Sequence, residues 1–262
     1  MYDDRLKMID DLGRLPIFPS LDSIWMMDRK YRMAYWLDRH EIASPETWIF
    51  YEESEAKKFV ETTDYPIVFK MDAGSGASGV KILKSVSEAK GIIKRCFGSG
   101  MRHHRQFKQD REFGAILFQR FLPSCREWRL IKVGQSYFGF EKLLGEEFHS
   151  GSKQFSYGIP PAKALAQLAT IAKLLKTEIL SIDVFHTADG QFLVNEVQAQ
   201  FGHQDSRELC MVDGKSGRLT HLLDQDEWQF EEGQFCKNYL GDLKIESILK
   251  FIVESRHLEG SN

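Results

Sequence analysis

Cysteines and long apolar runs are scarce in this sequence, and each shortage excludes a class of protein. The 262 residues include four cysteines, Cys96, Cys125, Cys210 and Cys236, and no two of them form a CxxC pair. Such scattered cysteines argue against a disulfide framework and fit a reducing compartment. No apolar stretch approaches the ~20 residues of a membrane span, and the charged start MYDDRLKMIDDLGRL is unlike a signal peptide. We therefore predict a cytoplasmic protein that does not interact with membranes.

Neither sign of charge dominates the sequence. Lysine and arginine number 35 against 38 aspartates and glutamates, which gives a net charge of -3. A chain with this balance has no general attraction to nucleic acid, so we predict no nucleic-acid partner. The basic stretch RCFGSGMRHHRQFKQDRE, at residues 95–112, is interpreted as a solvated loop, and a patch for an anionic substrate or a nucleic acid is the alternative.

Apolar periodicity predicts helices and strands in alternation, with several strands joined as antiparallel hairpins. Helical spacing is present in DRKYRMAYWLDRHEI, ESEAKKFVE, SVSEAKGIIKRC, AKALAQLATIAKLLK and DLKIESILKFIVE. One hairpin joins EWRLIKV to YFGFEKLL through GQS, and a second joins ILSIDVFHT to QFLVNEVQ through ADG. Hairpins with helices between them indicate an α+β fold rather than a doubly wound parallel sheet.

The stretch FKMDAGSGASGVKIL, residues 69–83, places a lysine at the end of an apolar strand and a glycine loop shortly after it. Lys70 supplies a positive charge, and the loop from Gly74 to Gly79 offers backbone N–H groups with few side chains around them. A cation beside free backbone N–H groups is typical of a phosphate-binding site. Glycine-rich turns are common, so this loop alone does not identify a function.

The second hairpin is predicted to bring two carboxylates face to face. With a two-residue turn at Asp189 and Gly190, Asp183 lies opposite Glu196, and Gln198 falls on the same face of the hairpin. Facing carboxylates roughly 5 Å apart repel each other, and a divalent cation would offset the repulsion. Mg²⁺ prefers such oxygen ligands and commonly keeps phosphate oxygens in its shell. The alternative is a solvated hairpin whose acidic residues are incidental.

Four stretches, taken in order, resemble the ATP-grasp superfamily: SLDSIWMMDRKYRMAYWLDRHEIASPETWIF, YPIVFKMDAGSGASGVKIL, ILFQRFLPSCREWRLIKVGQSYFGFEK and LSIDVFHTADGQFLVNEVQ. The pattern covers residues 20–202 and is most similar to ribosomal-protein glutamate ligases and synapsins. The resemblance implies an α+β ATP-grasp fold, in which the nucleotide lies between the antiparallel sheets of two lobes. It divides the chain into an N-terminal segment and helix at 1–45, a small lid lobe at 46–122 and a large lobe with the metal-binding hairpin at 123–262. Only ~20 residues precede the first stretch, so the domain that commonly precedes the two lobes is expected to be largely missing.

The resemblance also implies roles for individual residues. It assigns nucleotide contacts to Lys30, Lys70, Gly74, Ser75, Gly76, Ser78, Gly79, Gln119, Arg120, Phe121, Leu122 and Glu127. The two lysines meet the phosphates, the glycine loop closes over them, and the backbone of residues 119–122 reads the adenine edge. The metal ligands are Asp183, Glu196 and Gln198, and the family usually has asparagine at the last of these positions.

On the acceptor side, the sequence departs from the family pattern. The resemblance assigns catalytic roles to Arg129, which is aimed at the γ-phosphate or an acyl-phosphate, and to Lys142 and His149. His149 stands where arginine or lysine is usual, and Gly151 where asparagine often occurs, so Lys142 and Lys153 are the alternative sources of positive charge. We expect His149 to face the mouth of the active site and to contact substrate.

The activity that the resemblance implies is ATP-dependent ligation of a carboxylate to an amine through an acyl-phosphate. It would use ATP and Mg²⁺, with Mn²⁺ as the alternative cation, and would act on small-molecule or peptide carboxylates and amines. A homodimer is compatible with this interpretation. The alternatives are an ATP-binding module without catalysis, as in synapsins, and a kinase on the same fold.

Overall fold

The computed structural model describes residues 2–13, 17–27, 29–74, 79–102, 111–145, 154–202, 208–222 and 227–259. Helices in these ranges are α1 (Tyr2–Asp11), α2 (Leu21–Met26), α3 (Lys30–Arg39), α4 (Glu53–Thr62), α5 (Val86–Phe97), α6 (Ala162–Leu174) and α7 (Gly241–Glu259). Strands are β1 (Thr47–Phe50), β2 (Ile67–Lys70), β3 (Val80–Leu83), β4 (Met101–Arg102), β5 (Arg111–Glu112), β6 (Ile116–Arg120), β7 (Arg126–Val133), β8 (Ser136–Lys142), β9 (Phe155–Ser156), β10 (Ile179–His186), β11 (Phe192–Gln198), β12 (Met211–Val212), β13 (Lys215–Leu222) and β14 (Glu227–Glu232). None of the helices in these ranges has both the length and the apolar character that crossing a membrane requires.

The first sheet has four antiparallel strands in the order β1-β6-β2-β3, covered on one face by α4 and α5. Alternation along β2 buries Ile67 and Phe69, which pack with Phe118 of β6 and with the apolar face of α5. The helix α5 begins with a side-chain cap, since Ser85 Oγ accepts from Glu88 N and the Glu88 carboxylate accepts from Lys84 N. These contacts give the small lobe its own core.

In the four-stranded sheet of the small lobe, β1 and β6 lie side by side, and the chain enters this sheet at β1 and leaves it at β6. Thr47, the first residue of β1, is paired with Gln119 near the end of β6. The pairing continues one step further, because Arg120 N donates to Glu46 O at 2.8 Å. The two chain connections to the rest of the molecule therefore run next to each other.

The second sheet has eight strands and carries the larger core. Its main path runs β11-β10-β7-β8-β13-β12, with β9 added to β8 and β14 to β13. The core face of β7, β10 and β11 includes Leu130, Ile182 and Val197, which pack against the buried face of α6. Because side chains alternate along a strand, the residues between them, Asp183 among them, point to the opposite face.

The hairpin of β10 and β11 has the predicted register at its far end but a different turn. Asp183 is paired with Glu196, as expected, but Thr187 is bonded to Gln191, so the predicted two-residue turn is wrong and three residues form the loop. The extra loop residue is compensated by a β-bulge, because the pairing shifts by one residue between Asp183 and Val184 and leaves Asn195 unpaired. One consequence is that Val194, and not its neighbour Leu193, belongs to the buried core.

The helix α3 connects the two sheets. Its Met33 belongs to the core of the large sheet, where Met33 Sδ accepts from Val197 N at 3.3 Å. Its first residue reaches the small lobe, since Lys30 N donates to Asp72 O at 2.9 Å, just beyond β2. Residues at the start of α3 therefore lie in the cleft between the sheets.

Candidate functional site

Four charged side chains form a buried network on the cleft face of the large sheet. Arg129 Nε and Nη2 each donate to one carboxylate oxygen of Asp183, both at 2.8 Å. Lys142 Nζ donates to Glu127 Oε1 at 2.7 Å and to Asp183 Oδ2 at 2.5 Å. The strand register produces this arrangement, because Arg129 is paired with Asp183, and Glu127 with Lys142. Asp183 and Glu127 are only 1% and 2% exposed, so water contributes little to their solvation.

The two facing carboxylates of the hairpin have opposite electrostatic environments. Burial by itself raises the pKa of Asp183, but Arg129 and Lys142 outweigh it and hold that pKa below its ordinary value. Burial raises the pKa of Glu196, and the charge of Asp183 opposite raises it further. The predicted repulsion is therefore present at Glu196, but the protein's own cations neutralise Asp183 without any metal.

Glu196→Gln should stabilise the metal-free protein by about 0.5–1 kcal/mol, because it removes a like charge directly opposite Asp183. A glutamate with a raised folded-state pKa destabilises the protein above that pKa and not below its unfolded value. The advantage of the variant over wild type should therefore shrink as the pH falls through the folded pKa. Thermal unfolding in EDTA measures both effects, and Glu227→Gln, at an exposed strand position, is the matched control. A Glu196 variant less stable than wild type at pH 7 would contradict the repulsion.

Two lysines meet at the other wall of the cleft. Lys30 Nζ donates to Gly74 O and Lys70 Nζ to Asn195 Oδ1, both at 2.7 Å. Burial and the nearby Lys30 lower the pKa of Lys70 to about 8, although Glu196 and other carboxylates act in the opposite direction. The contact with Asn195 links the small sheet to the bulge of β11, so Lys70 lies between the lobes.

The glycine loop connects the end of β2 to the start of β3. Met71 N donates to Gly79 O at 2.9 Å, which brings the two ends of the loop together. Gly79 has φ +82°, and a Cβ there would lie 3.0 Å from Met71 side-chain atoms, so backbone conformation and space both require glycine. Gly74 also has a positive φ, of 128°. The predicted contacts Ser75, Gly76 and Ser78 lie outside the described residues.

A narrow crevice separates the two sheets beside these lysines. Its apolar lining includes Met33, Leu117 and Val194, and its polar lining includes Lys30, Lys70, Gln119 and Asn195. Gln119 is nearly buried and donates to Thr47 Oγ1 at 3.0 Å. The volume of the crevice is only about 20 Å³, so a nucleotide base could enter only if the two sheets moved apart.

Comparison with known proteins gives a family for this geometry. The model of the RimK-like ATP-grasp domain matches residues 27–215, which is more than half of the chain. The chain belongs to the RimK-like ATP-grasp family. The ATP-grasp fold expected from the sequence is thereby confirmed, and so is the expected mixture of helices and antiparallel sheets. A search of curated protein sequences gives no match.

Solved structures of other proteins share the ATP-grasp fold at low sequence identity. A RimK-domain ATP-grasp protein from Sphaerobacter thermophilus has a TM-score of 0.52 and 20% identity, over 71% of this chain and 64% of that one. The biotin carboxylase domain of Hydrogenobacter thermophilus 2-oxoglutarate carboxylase, solved with MgADP and bicarbonate, has a TM-score of 0.54 and 14% identity, over 69% and 41%. D-alanyl-alanine synthetase A from Vibrio cholerae has a TM-score of 0.51 and 15% identity, over 72% and 60%. The chain thus spans about two fifths to just under two thirds of these proteins.

In this RimK-like ATP-grasp chain, about half of the predicted site residues lie on the two walls of the cleft. Lys30, Lys70 and Gln119 line the crevice, while Asp183 and Arg129 lie in the charged network of the large sheet. The residues at 120–122 follow along the chain connection, where Arg120 is exposed and forms an ion pair with Glu46. His149 and the alternative Lys153 lie outside the described residues.

The hairpin side chains of the RimK-like ATP-grasp domain fit a magnesium ion. Within the described ranges, no group of three or more His, Cys, Asp or Glu side chains could hold a metal by itself. The hairpin nevertheless brings Asp183 and Glu196 together, and Gln198 is paired with Ser181 two residues along the same face. Mg²⁺ usually takes one or two carboxylates and completes its shell with phosphate oxygens and water, so this donor set suits a metal that arrives with a nucleotide.

Sequence reasoning missed two residues of the RimK-like ATP-grasp site. Asn195 was not considered, because strict alternation from Glu196 assigns it to the other face, and only the bulge brings it to Lys70. Glu112, whose carboxylate binds the backbone at the base of the glycine loop, was included only in a basic stretch interpreted as solvated. An acid at the end of that stretch, shortly before an apolar strand, carried no local signal of this contact.

Proposed function

We propose that this chain is an ATP-dependent carboxylate–amine ligase that works through an acyl-phosphate. The observation that supports it most is the meeting, across one cleft, of two lysines with a buried Asp183–Arg129 pair opposite Glu196. The lysines provide positive charge for phosphates, and the carboxylates provide ligands for the metal that accompanies them. Membership in the ATP-grasp family agrees with this division of roles.

In the proposed reaction, the chain's own residues hold the nucleotide and stabilise charge on the transferred phosphoryl group. Lys30 and Lys70 bind the phosphates of ATP, and the crevice beside Gln119 takes the adenine once the two lobes have opened. Asp183, Glu196 and Gln198 would hold Mg²⁺, which would supply positive charge next to the γ-phosphate when bound. Fixed positive groups at that point stabilise the transition state because they need no rearrangement during the reaction.

On the other side of the phosphate, Arg129 is the proposed contact for the acyl-phosphate. Both oxygens of Asp183 hold its guanidinium in one orientation. Its side chain is still 22% exposed, so a substrate can reach it. Lys142 is more deeply buried between Glu127 and Asp183, and its proposed role is to keep the Asp183 carboxylate charged. Closure of the small lobe would keep water away from the acyl-phosphate until the amine attacks.

The test is a screen of amino acids and short peptides for release of ADP from Mg-ATP, with product masses measured in parallel. A ligase gives ADP, phosphate and a product lighter by one water than its two substrates together. Release of ADP with a product that has gained a phosphoryl group would indicate a kinase instead. Binding of Mg-ATP without release of ADP for any substrate pair would indicate a non-catalytic module.

Binding of ATP should take up a proton above pH 8 and not below it. The pKa of Lys70 is about 8 in the nucleotide-free protein, and adjacent phosphate oxygens raise it. Below pH 8 the lysine is already protonated, whereas above it each binding event must first protonate Lys70, so affinity falls by up to 10-fold per pH unit. Calorimetry at pH 7 and pH 9, in buffers with different ionisation enthalpies, measures the uptake. The same proton uptake at both pH values would mean that Lys70 does not meet phosphate.

A further inference from the structure

The base of the glycine loop is held by a carboxylate from a different part of the small lobe. Asp72 N donates to Glu112 Oε2, and Ala73 N donates to Glu112 Oε1, both at 2.7 Å. Consecutive backbone N–H groups that converge on one anion fix the path of the chain at that point, since both oxygens are used at once. The loop therefore leaves β2 in a direction that Glu112 determines.

Glu112 is itself held firmly from the other side. It belongs to the short pair of β4 and β5, where it lies opposite Met101. Two contacts attach this pair to the end of α5: Arg111 Nη1 donates to Ser99 O at 2.6 Å, and Gly114 N donates to Cys96 O at 3.1 Å. The carboxylate thus reaches the loop from a support built into the core of the small lobe.

The residue that Glu112 holds also determines where α3 begins. Asp72 O accepts from Lys30 N, and Asp72 Oδ1 accepts from Tyr31 N, both at 2.9 Å. Asp72 Oδ2 also pairs with Arg29 at 3.2 Å. Since Lys30 is the first residue of α3, a shift of Asp72 would move this lysine relative to Lys70, which lies two residues before Asp72.

We propose that Glu112 is a positioning residue for the nucleotide phosphates: it fixes Asp72 and Ala73 so that Lys30 and Lys70 converge on one point. This role rests on the proposed ATP site. Glu112 does not touch the phosphates in this proposal. It binds residues 72 and 73, before the loop proper, and releasing them would also release the start of α3. The carboxylate therefore acts as a permanent support and is not displaced when phosphate arrives.

The experiment measures binding of Mg-ATP and of adenosine, which lacks phosphates, by calorimetry. Glu112→Gln should weaken Mg-ATP binding about 10-fold, because an amide offers one accepting oxygen where the carboxylate offers two. Adenosine affinity should stay unchanged, because adenosine carries no phosphates for the two lysines to bind. Glu112→Asp, which keeps the charge on a shorter arm, should recover part of the loss. Glu61→Gln, which removes an exposed acid paired with Lys90 in the same lobe, is the control and should bind like wild type.

Three other results would overturn the positioning role of Glu112, and a fourth would overturn the proposed function as well. Equal Mg-ATP affinity for wild type and Glu112→Gln overturns the positioning role and leaves the proposed ligase intact. Tighter binding by Glu112→Gln overturns it as well, because the carboxylate would then compete with phosphate. A parallel loss of adenosine affinity points to general damage and also overturns it. If the wild type binds no Mg-ATP, the proposed function itself fails, and this role fails with it.

Discussion

Asp183→Asn should abolish ATP turnover and lower the free energy of unfolding by about 3–5 kcal/mol. The stability loss follows from the burial of the network, since Arg129 and Lys142 would keep their charges without the carboxylate that both contact. Loss of turnover follows from the proposed role of Asp183 as a metal ligand. Denaturant unfolding and ADP release measure the two effects, and Asp64→Asn, at an exposed position, is the control.

A second substitution separates the two causes. Adding Arg129→Met to Asp183→Asn removes the cation that Asp183 held, while Lys142 keeps its bond to Glu127, and should restore part of the stability but none of the turnover. If Asp183→Asn unfolds at the same denaturant concentration as wild type, the network does not support the fold in the way its geometry indicates. Full turnover in the single variant would overturn the assignment of Asp183 to the metal site.

Lys70→Ala should weaken Mg-ATP binding about 30- to 150-fold, which corresponds to about 2–3 kcal/mol of lost charge-assisted contacts. The fold should tolerate the change, because the ammonium is buried at a depressed pKa and its hydrogen bond is to the neutral Asn195. Calorimetry with Mg-ATP is the measurement. Lys81→Ala is the matched control, since Lys81 is an exposed lysine on the neighbouring strand of the same sheet, opposite Phe69.

The Lys70→Ala variant also separates a role in phosphate binding from a role in holding the two lobes together. An affinity within twofold of wild type would show that Lys70 does not meet the phosphates, whatever its place in the cleft. Loss of cooperative unfolding in the variant would instead show that its contact with Asn195 matters more for closing the lobes than for holding nucleotide. Lys81→Ala should match wild type in both measurements.

The sequence predicted the elements of this fold well, because their signals are local. The helical spacing of α5 and the apolar alternation of the hairpins depend on residues a few positions apart. The pairing of Asp183 with Glu196 was also predicted, but from a turn of the wrong length. A longer loop and a bulge at Asn195 cancel each other, so the pairing was right although the turn was not.

The contacts that organise the site were beyond such reasoning, because they join distant parts of the chain. Lys142 and Asp183 are 41 positions apart, and Asp72 and Glu112 are 40. Their proximity depends on the order of strands in a sheet and on the position of a two-residue strand, neither of which local periodicity determines. Local periodicity also does not reveal that β7 and β8 bring the cations Arg129 and Lys142 to Asp183, and the metal predicted at the facing carboxylates stays a prediction.

The side-by-side chain connections at Thr47 and Gln119 have a mechanical consequence. A lobe attached by one strand can rotate about several axes, but a lobe attached by two hydrogen-bonded strands is restricted to a hinge with one axis. The hydrogen bond from Arg120 N to Glu46 O lengthens this hinge by one residue pair. The small lobe should therefore swing about a single axis, and every opening carries Lys70 away from Asn195 along the same arc. Entry and exit of the nucleotide would then share one path.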